Sequence, residues 1–366
     1  MATFNITVLP GDGIGPEVTD SSQQILDAVG ARWKHNFHFE TDVVGGSSID
    51  IHGTPLRDET VKLAKKSDAV LFGAVGGPKW DNESVRPEAA ILGLRKALGL
   101  YANIRPVKVF PGMEDSSPLK NDRVRGADMV ILRELTGGLY YAKPKRRWQN
   151  KSGRKGVDTL LYAEKEIERI VRVGFELARS RRKKLTSVDK ANVLQSSRLW
   201  REIVIEISKD YPDVELEHQL VDSCAMLLIT RPTSFDVMVM ENMFGDIISD
   251  EAAVLSASLG MLPSASLAGL PGVDSNGKPK KVRGLYEPSH GSAPDIAGQS
   301  KANPIGSILS TAFMLQYSFG LLEEASAVNS AVEKTLAQGF RTADLVGSDA
   351  EFSTTQHMTD KILENL

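Results

Sequence analysis

Short apolar runs alternate with longer amphipathic segments along most of the chain. The runs are rich in Val, Ile, Leu and Met, as buried strands are, and they lie at residues 6–9, 69–72, 129–133, 185–188, 214–220 and 235–240. Segments with helical periodicity follow most of them and cover residues 15–30, 87–98, 163–179, 197–209, 222–230 and 246–259. Strands that are followed by crossover helices predict an α/β fold.

Length and composition narrow the class of protein. The chain has 366 residues, which predicts two or three domains of about 150 residues each. Hydrophobic residues make up 41% and charged residues 25%, which excludes disordered and collagen-like chains. The single cysteine, Cys224, excludes an intramolecular disulfide and a CxxC metal site. The formal net charge of −3 argues against a general nucleic-acid-binding protein, which needs a cationic surplus.

We expect a cytoplasmic protein without a membrane span. The first residues lack the basic and apolar regions of a secretory signal. Two uncharged stretches, 252–273 and 302–322, are long enough to cross a bilayer, but they contain many hydroxyl, Gly and Pro residues. Helices buried within the protein or at a subunit interface are the favoured interpretation of both.

Two local patterns each have two interpretations. Segment 143–155 contains seven basic residues and no acidic ones, so it is either an exposed arm or subunit contact, or a polyanion-binding loop. Segment 9–17 follows a strand and opens a helix, with Pro16 suited to the first helical turn. Its glycines have the spacing G-x-G-x-G, not G-x-G-x-x-G, so it is either a tight structural turn or a nucleotide contact, and it does not predict a Rossmann domain.

Charged residues at the ends of predicted elements are candidates for a binding site. Asp246 and Asp250 share one helical face, and Asp222 ends an apolar strand. Either Asp246 caps its helix and Asp250 faces water, or the three carboxylates converge on a hard cation such as Mg²⁺ or Mn²⁺. Arg95, Arg105 and Arg133 are individually salt-bridge candidates, and together they would suit a small anion with two carboxylates.

Seven motifs in order along the chain carry a family resemblance. They are LPGDGIGPE at 9–17, GAVGGPKW at 73–80, LRK at 94–96 with ANIRP at 102–106, RELTGGLY at 133–140, VDKANVL at 188–194, MENMFGDIISD at 240–250 and EPSHGSAPDIAG at 287–298. Together they resemble the β-decarboxylating dehydrogenases of the isocitrate/isopropylmalate dehydrogenase family. The likeness runs essentially end to end, and it is closest to the members that oxidise 3-isopropylmalate in leucine biosynthesis.

The resemblance implies an architecture. The fold would be a two-domain, non-Rossmann α/β fold with mixed sheets flanked by helices. Residues 1–103 and 256–366 would form the cofactor-bearing domain, and residues 104–255 would form an inserted dimer-interface domain with an arm around 140–156. The protein would be a homodimer whose active sites lie in the interdomain clefts and use residues of both subunits.

The resemblance also implies an activity, the NAD-dependent conversion of (2R,3S)-3-isopropylmalate to 4-methyl-2-oxopentanoate and CO₂. The three arginines would hold the malate carboxylates, and Asp246 and Asp250 of one subunit would bind Mg²⁺ or Mn²⁺ with Asp222 of the other. Lys190 of the partner subunit would take the hydroxyl proton, and Tyr140 would supply a proton after CO₂ leaves. Without the resemblance, packing and a surface ion pair would explain Tyr140 and Lys190.

Further contacts follow from the same resemblance. Besides Asp222 and the arginines, the substrate would contact Glu88, Ile91, Leu92 and Val193, of which Ile91 and Leu92 would face the isopropyl group. NAD would contact Gly76, Gly77, Pro78, Glu88, Asn192, His290, Gly291, Ser292, Ala293, Pro294, Asp295 and Asn303. The alternatives are a tartrate, homoisocitrate or isocitrate dehydrogenase of the same family, or a catalytically inactive nucleotide- or RNA-binding protein that uses the basic segment.

Overall fold

The computed structural model describes residues 2–270, 280–347 and 350–366. The strands are β1 (Thr3–Gly11), β2 (Asn36–Thr41), β3 (Ala69–Ala74), β4 (Ala102–Lys108), β5 (Asp128–Glu134), β6 (Arg146–Asn150), β7 (Gly153–Val157), β8 (Lys184–Asp189), β9 (Glu215–Leu220), β10 (Val237–Met240), β11 (Pro263–Leu267) and β12 (Gly284–Pro288). The helices are α1 (Gly15–Trp33), α2 (Gly46–His52), α3 (Asp58–Lys66), α4 (Ala89–Leu98), α5 (Asn121–Val124), α6 (Glu164–Arg179), α7 (Gln195–Ser208), α8 (Val221–Thr230), α9 (Asn242–Ala253), α10 (Ile305–Phe313), α11 (Leu322–Ala337) and α12 (Thr355–Asn365).

One mixed sheet of ten strands runs through the molecule in the order β2-β1-β3-β12-β11-β4-β5-β10-β8-β9. The outer strands pair in parallel, whereas β11 runs antiparallel to both of its neighbours and β4 runs antiparallel to β5. Every residue of β3 and β10 is buried, as expected where helices cover both faces of a sheet. β6 and β7 form a separate exposed hairpin.

The six predicted strands are all present, and five of the six predicted helices begin and end within three residues of the observed ones, whereas the predicted helix at 246–259 is observed at Asn242–Ala253. One boundary differs in a way that affects the site. Residue 246 does not begin its helix, because α9 starts at Asn242 and Glu241 is its N-cap, accepting a 2.9 Å hydrogen bond from the backbone N–H of Phe244. Asp246 therefore lies one turn inside α9. Similarly, β9 ends at Leu220, so Asp222 belongs to α8 and not to the strand.

The two uncharged stretches differ from each other. The prediction of a buried helix is correct for 302–322, which contains α10 and a π-helical turn, Met314–Phe319. It is wrong for 252–273, which contains the end of α9, short 3₁₀ turns and the buried strand β11, with residues 271–273 outside the described part. Within the described ranges, no helix combines the length and the apolar character needed to cross a membrane.

Candidate active site

A cleft of about 510 Å³ opens at the carboxyl ends of β3, β5 and β12, beside α4 and α9. The edge where parallel strands end is the usual ligand-binding position in α/β proteins. Thirteen of the lining residues belong to the motifs, and they are Gly73, Ala74, Val75, Arg95, Arg105, Arg133, Tyr140, Asp246, Glu287, Pro288, Ser289, His290 and Gly291. The others are Phe72, Glu88, Ile91, Leu92 and Lys145.

The structure brings Arg95, Arg105 and Arg133 together, and all three are buried. Burial is the main effect that lowers the pKa of Arg105, and the repulsion of a neighbouring arginine adds to it. The same two effects lower the pKa of Arg133 to about 10. A pKa of about 10 keeps Arg133 protonated at neutral pH, and an arginine side chain is in general not deprotonated in proteins. Three guanidinium groups in one cleft make a site for an anion.

Carboxylates partly balance this charge. Arg95 donates from Nη2 to Glu287 Oε1 at 2.8 Å, and Arg105 Nη1 lies 3.3 Å from Asp250 Oδ1. Arg133 forms an ion pair with Asp246. Each buried arginine thus has a carboxylate partner, as the cost of burying an unpaired charge requires.

Asp246 and Asp250 lie one turn apart on α9 and have opposite pKa shifts. Burial disfavours the charged form of Asp246, but the attraction of Arg133 and the hydrogen bond from Tyr140 outweigh it, so the pKa of Asp246 is lowered. For Asp250, burial is also the largest effect and Arg105 only partly opposes it, so its pKa is raised. Two carboxylates of this kind can supply oxygen ligands to a hard cation.

Tyr140 follows β5 and turns its hydroxyl towards Asp246, donating to Oδ2 at 2.8 Å. Its ring lies 5.6 Å from the Arg133 guanidinium. Burial raises the pKa of Tyr140 to about 12, and the hydrogen bond to Asp246 acts in the same direction. The phenol is therefore protonated at neutral pH and can act as a proton donor.

Lys190 and Asp222 form a pair outside the cleft. Lys190 Nζ lies 2.8 Å from Asp222 Oδ1, and this hydrogen bond lowers the pKa of Asp222. Neither residue lines the cleft, and the exposed Asn192 and Val193 belong to the same loop as Lys190. Among the described residues, no three His, Cys, Asp or Glu side chains are grouped to hold a metal. Within one chain, then, Asp222 does not meet Asp246 and Asp250.

Residues of α4 form one wall of the cleft. Glu88, Ile91 and Leu92 line it together with Arg95, at the helical spacing that places them on one face. The helix begins at Ala89 and not at Pro87, with Glu88 as its N-cap residue. The apolar side chains of Ile91 and Leu92 therefore face the same space as the arginines.

Two of the predicted cofactor segments adjoin the cleft, whereas Asn192 and Asn303 do not line it. Gly76, Gly77 and Pro78 follow β3, and His290 and Gly291 line the cleft after β12. Further along this segment, Ser292 is buried, Ala293 is half-buried, and Pro294 and Asp295 are exposed. The Asn303 amide is buried and donates to Asp344 Oδ2 at 3.1 Å, while its oxygen accepts from the Ile305 N–H at 3.0 Å. The Asn303 side chain is thus occupied inside the protein.

The glycine-rich turn has a structural role that depends on Asp12, a residue that sequence reasoning did not single out. The buried Asp12 accepts hydrogen bonds from the backbone N–H groups of Gly46, Ser47 and Gly76, at 2.7, 2.8 and 3.0 Å. It thereby joins the turn after β1 to the loop after β3, where the cofactor is predicted. An aspartate between two glycines at the end of a strand was the available signal.

Four further buried residues hold the arginines and the Tyr140 loop, and none was predicted. Glu134 accepts from the N–H groups of Thr136 and Gly137, and burial raises its pKa. Glu287 pairs with Arg95, as described above. The other two are Asn103 and Asn242. All four lie inside the motifs or beside a predicted arginine, but a single sequence does not distinguish a supporting polar residue from a ligand.

Comparisons with known proteins agree with this geometry. The isocitrate/isopropylmalate dehydrogenase family model matches residues 5–362. A 3-isopropylmalate dehydrogenase of Dehalococcoides mccartyi is 59% identical over 345 residues, which are 93% of each chain. One of Geobacillus kaustophilus is 57% identical over 364 residues, covering 99% of this chain and 95% of that one.

The fold also agrees. The crystal structure of an isocitrate dehydrogenase from Methylococcus capsulatus superimposes with a TM-score of 0.85 at 33% identity and covers 99% of both chains. The predicted fold class and the resemblance are confirmed by these matches. The chain belongs to the isocitrate/isopropylmalate dehydrogenase family.

Proposed function

We propose that this protein is an NAD-dependent enzyme that converts (2R,3S)-3-isopropylmalate to 4-methyl-2-oxopentanoate and CO₂, a step of leucine biosynthesis. The observation that carries the proposal is the cleft in which three buried arginines face the apolar residues Ile91 and Leu92. Guanidinium groups suit the two carboxylates of the substrate, and the apolar wall suits its isopropyl group. The names of the two relatives, which are more than half identical to this chain, support the same reaction.

The substrate class follows from charge and polarity together. The acidic Glu88 lies on the same face of α4 as Ile91 and Leu92. A substrate with a third carboxylate, such as isocitrate, would bring that group towards an apolar wall and a negative charge. An alkyl substituent would instead bury apolar surface there.

We infer that Asp246 and Asp250 hold a divalent cation together with Asp222 of a second copy of the chain. The two carboxylates on α9 face the arginine cluster and provide oxygen donors, which Mg²⁺ and Mn²⁺ prefer. When bound, the cation lowers the pKa of the substrate hydroxyl and stabilises negative charge on the neighbouring oxygen. The chain itself would hold the substrate carboxylates through Arg95, Arg105 and Arg133.

Two side chains would move protons. Lys190 of a second copy would accept the proton of the substrate hydroxyl while hydride is transferred to NAD⁺. Tyr140, whose raised pKa keeps it protonated, would donate to the carbon that loses CO₂. Its hydrogen bond to Asp246 would fix the hydroxyl before the reaction.

We propose NAD as the cofactor, bound by Gly76, Gly77, Pro78 and Glu88, by residues 290–295 and by Asn192. The exposed carboxylate of Asp295 supports NAD over NADP, because it would repel a 2′-phosphate. Asn303 would contribute through its backbone, since its side chain is engaged with Asp344.

We also propose a two-domain homodimer. One half of the large sheet comes from residues 1–103 and 256–366, and it contains β2, β1, β3, β12 and β11. The other half comes from residues 104–255 and contains β5, β10, β8 and β9, with β4 at the boundary. This grouping supports the predicted domain division. A second copy of the chain could reach four partly or fully exposed residues, which are Lys190, Asn192, Val193 and Asp222. The hairpin of β6 and β7 lies in the predicted arm.

A steady-state assay tests the proposal. NADH formation should be measured with 3-isopropylmalate, isocitrate, homoisocitrate and tartrate, each with NAD⁺ and either Mg²⁺ or Mn²⁺. We expect rapid turnover of 3-isopropylmalate and much lower kcat/KM for the others. Preferential turnover of isocitrate, or RNA binding without NADH formation from any of them, would contradict it.

A further inference from the structure

Two buried asparagines lie directly behind two of the cleft arginines. Asn103 on β4 is 0% exposed, and its Oδ1 accepts a 2.8 Å hydrogen bond from Arg105 Nε. Asn242 at the start of α9 is 1% exposed, and its Oδ1 accepts from Arg133 Nε at 3.0 Å and from Nη2 at 2.8 Å. Each amide therefore touches the guanidinium on the side that faces the protein interior.

The other end of each amide is anchored to a separate element. Asn103 Nδ2 donates to Ser264 Oγ at 2.7 Å and to Ser266 Oγ at 3.2 Å, both on β11. Asn242 Nδ2 donates to the Gly137 carbonyl oxygen at 3.2 Å, in the loop that leads to Tyr140. These bonds fix which way each amide is turned, so that its oxygen points at the arginine.

The amide oxygens of Asn103 and Asn242 are neutral acceptors, and this matters because carboxylates already surround the arginines. Asp246, Asp250 and Glu287 already face the three arginines at or below 4.0 Å. A further carboxylate in place of either amide would make the balance of these side chains negative and would repel a dicarboxylate. An amide orients the guanidinium without changing the charge that remains for a ligand.

We propose that Asn103 and Asn242 are positioning residues, which orient Arg105 and Arg133 for the substrate carboxylates without adding a further negative charge to the cleft. This inference rests on the proposed function, in which those two arginines bind 3-isopropylmalate. It predicts a defect in substrate binding and not in cofactor binding or folding.

The test uses the full-length protein with Asn103→Leu, Asn242→Leu and Asn103→Asp. Leucine removes the acceptor at similar volume, so the KM for 3-isopropylmalate should rise about tenfold or more in both variants, as expected for a lost bond to a charged group. The KM for NAD⁺ should stay within twofold and kcat within threefold of wild type. Asn329→Leu is the control, because the Asn329 amide donates to the Ala325 carbonyl in α11 and, among the described residues, forms no hydrogen bond with an arginine.

The variant Asn103→Asp distinguishes the effect of added negative charge on substrate binding from an effect on folding. Its carboxylate keeps the acceptor for Arg105, and the hydroxyls of Ser264 and Ser266 can rotate to donate to it. We expect the thermal midpoint to stay close to wild type while the KM for 3-isopropylmalate rises at least fivefold. This variant remains informative if Asn242→Leu does not fold.

The outcomes separate the two proposals. A wild-type enzyme that turns over 3-isopropylmalate, with variants whose substrate KM is unchanged or whose NAD⁺ KM rises equally, would overturn the positioning role and leave the function intact. A wild-type protein that neither forms NADH from 3-isopropylmalate nor binds it in calorimetry would overturn the proposed function, and this inference with it.

Discussion

Tyr140 is the candidate proton donor of the cleft. Its pKa is raised to about 12 by burial and by Asp246, so it is protonated throughout the working pH range. Replacing it with phenylalanine removes the hydroxyl and keeps the ring against Arg133. We expect Tyr140→Phe to lower kcat by about 100-fold to 10,000-fold, the range for a lost acid catalyst, with little change in substrate KM.

The adjacent tyrosine provides a matched control for this measurement. The hydroxyl of Tyr141 is buried and has no hydrogen-bond partner in the described part of the chain. Tyr141→Phe should therefore leave kcat within about threefold of wild type, since no hydrogen bond is lost. Equal losses in the two variants would show that the fit of the loop, and not the Tyr140 proton, limits the rate.

Asp246 and Asp250 should affect stability in opposite directions. The folded-state pKa of Asp246 is lowered, so its stabilising contribution is present above the unfolded value and is lost as the pH falls through the lowered folded value. The pKa of Asp250 is raised, so ionising it costs stability as the pH rises through that value. Without metal at neutral pH, Asp246→Asn should lower the free energy of unfolding by about 1–3 kcal/mol.

The companion variant Asp250→Asn should raise the free energy of unfolding by at most a few tenths of a kcal/mol, because the fold disfavours this charge but solvent screens a side chain that is 58% exposed. Urea unfolding in the presence of a chelator measures both values. Destabilisation of similar size in both variants would contradict the assigned directions. The comparison is matched because both side chains lie on the same face of α9.

At the level of elements, sequence patterns predicted six of the ten strands that the described residues place in the large sheet, and they missed β2, β4, β11 and β12. β4 contains Asn103, Arg105 and Pro106, so its pattern does not resemble that of a strand. β11 has alternating Ser and apolar residues, all buried, because its hydroxyls bond within the core. These two strands run antiparallel between parallel ones, and no local pattern encodes that pairing.

The residues of the candidate site were also predicted only in part. The arginines and the acidic face of α9 were predicted because charged residues beside apolar strands are conspicuous in sequence, whereas Tyr140 was predicted only from the family resemblance. The sequence patterns did not predict Asp12 or the two asparagines, since a buried amide that bonds to an arginine looks like any other polar residue. That distinction depends on distances across separate elements.

Close packing between α9 and β5 also determines where Arg133 lies. A Cβ added at Gly245 would come within 2.6 Å of Arg133 Cγ and 3.2 Å of its Cα. We expect Gly245→Ala to displace the arginine, to raise the KM for 3-isopropylmalate at least tenfold and to lower the free energy of unfolding by about 1–3 kcal/mol. Kinetics and urea unfolding of the same preparation measure both effects.

Gly347, in the loop before α12, is the control position for this substitution. Among the described residues, no heavy atom lies within 4 Å of a Cβ built there, so Gly347→Ala should leave both quantities close to wild type. An unchanged substrate KM in Gly245→Ala would contradict the assigned role of the packing beneath Arg133.

At the scale of the whole molecule, the candidate machinery is divided. The arginines, Tyr140, Asp246 and Asp250 belong to one cleft, whereas Lys190 and Asp222 pair with each other away from it. A single chain therefore does not bring together all the groups that the proposed reaction needs. A two-fold symmetric dimer would do so, if the Lys190 loop of each copy reached the cleft of the other.

Subunit complementation tests this central claim most directly. We expect the variants Lys190→Ala and Asp246→Asn to be inactive when each is assayed alone. The experiment mixes the two variants, unfolds them, refolds them together and measures NADH formation from 3-isopropylmalate. Half of the randomly formed dimers would be mixed, each with one intact cleft, so we predict recovery to about a quarter of the refolded wild-type activity. A mixture that stays inactive, while refolded wild type turns over normally, would show that the active site is not shared.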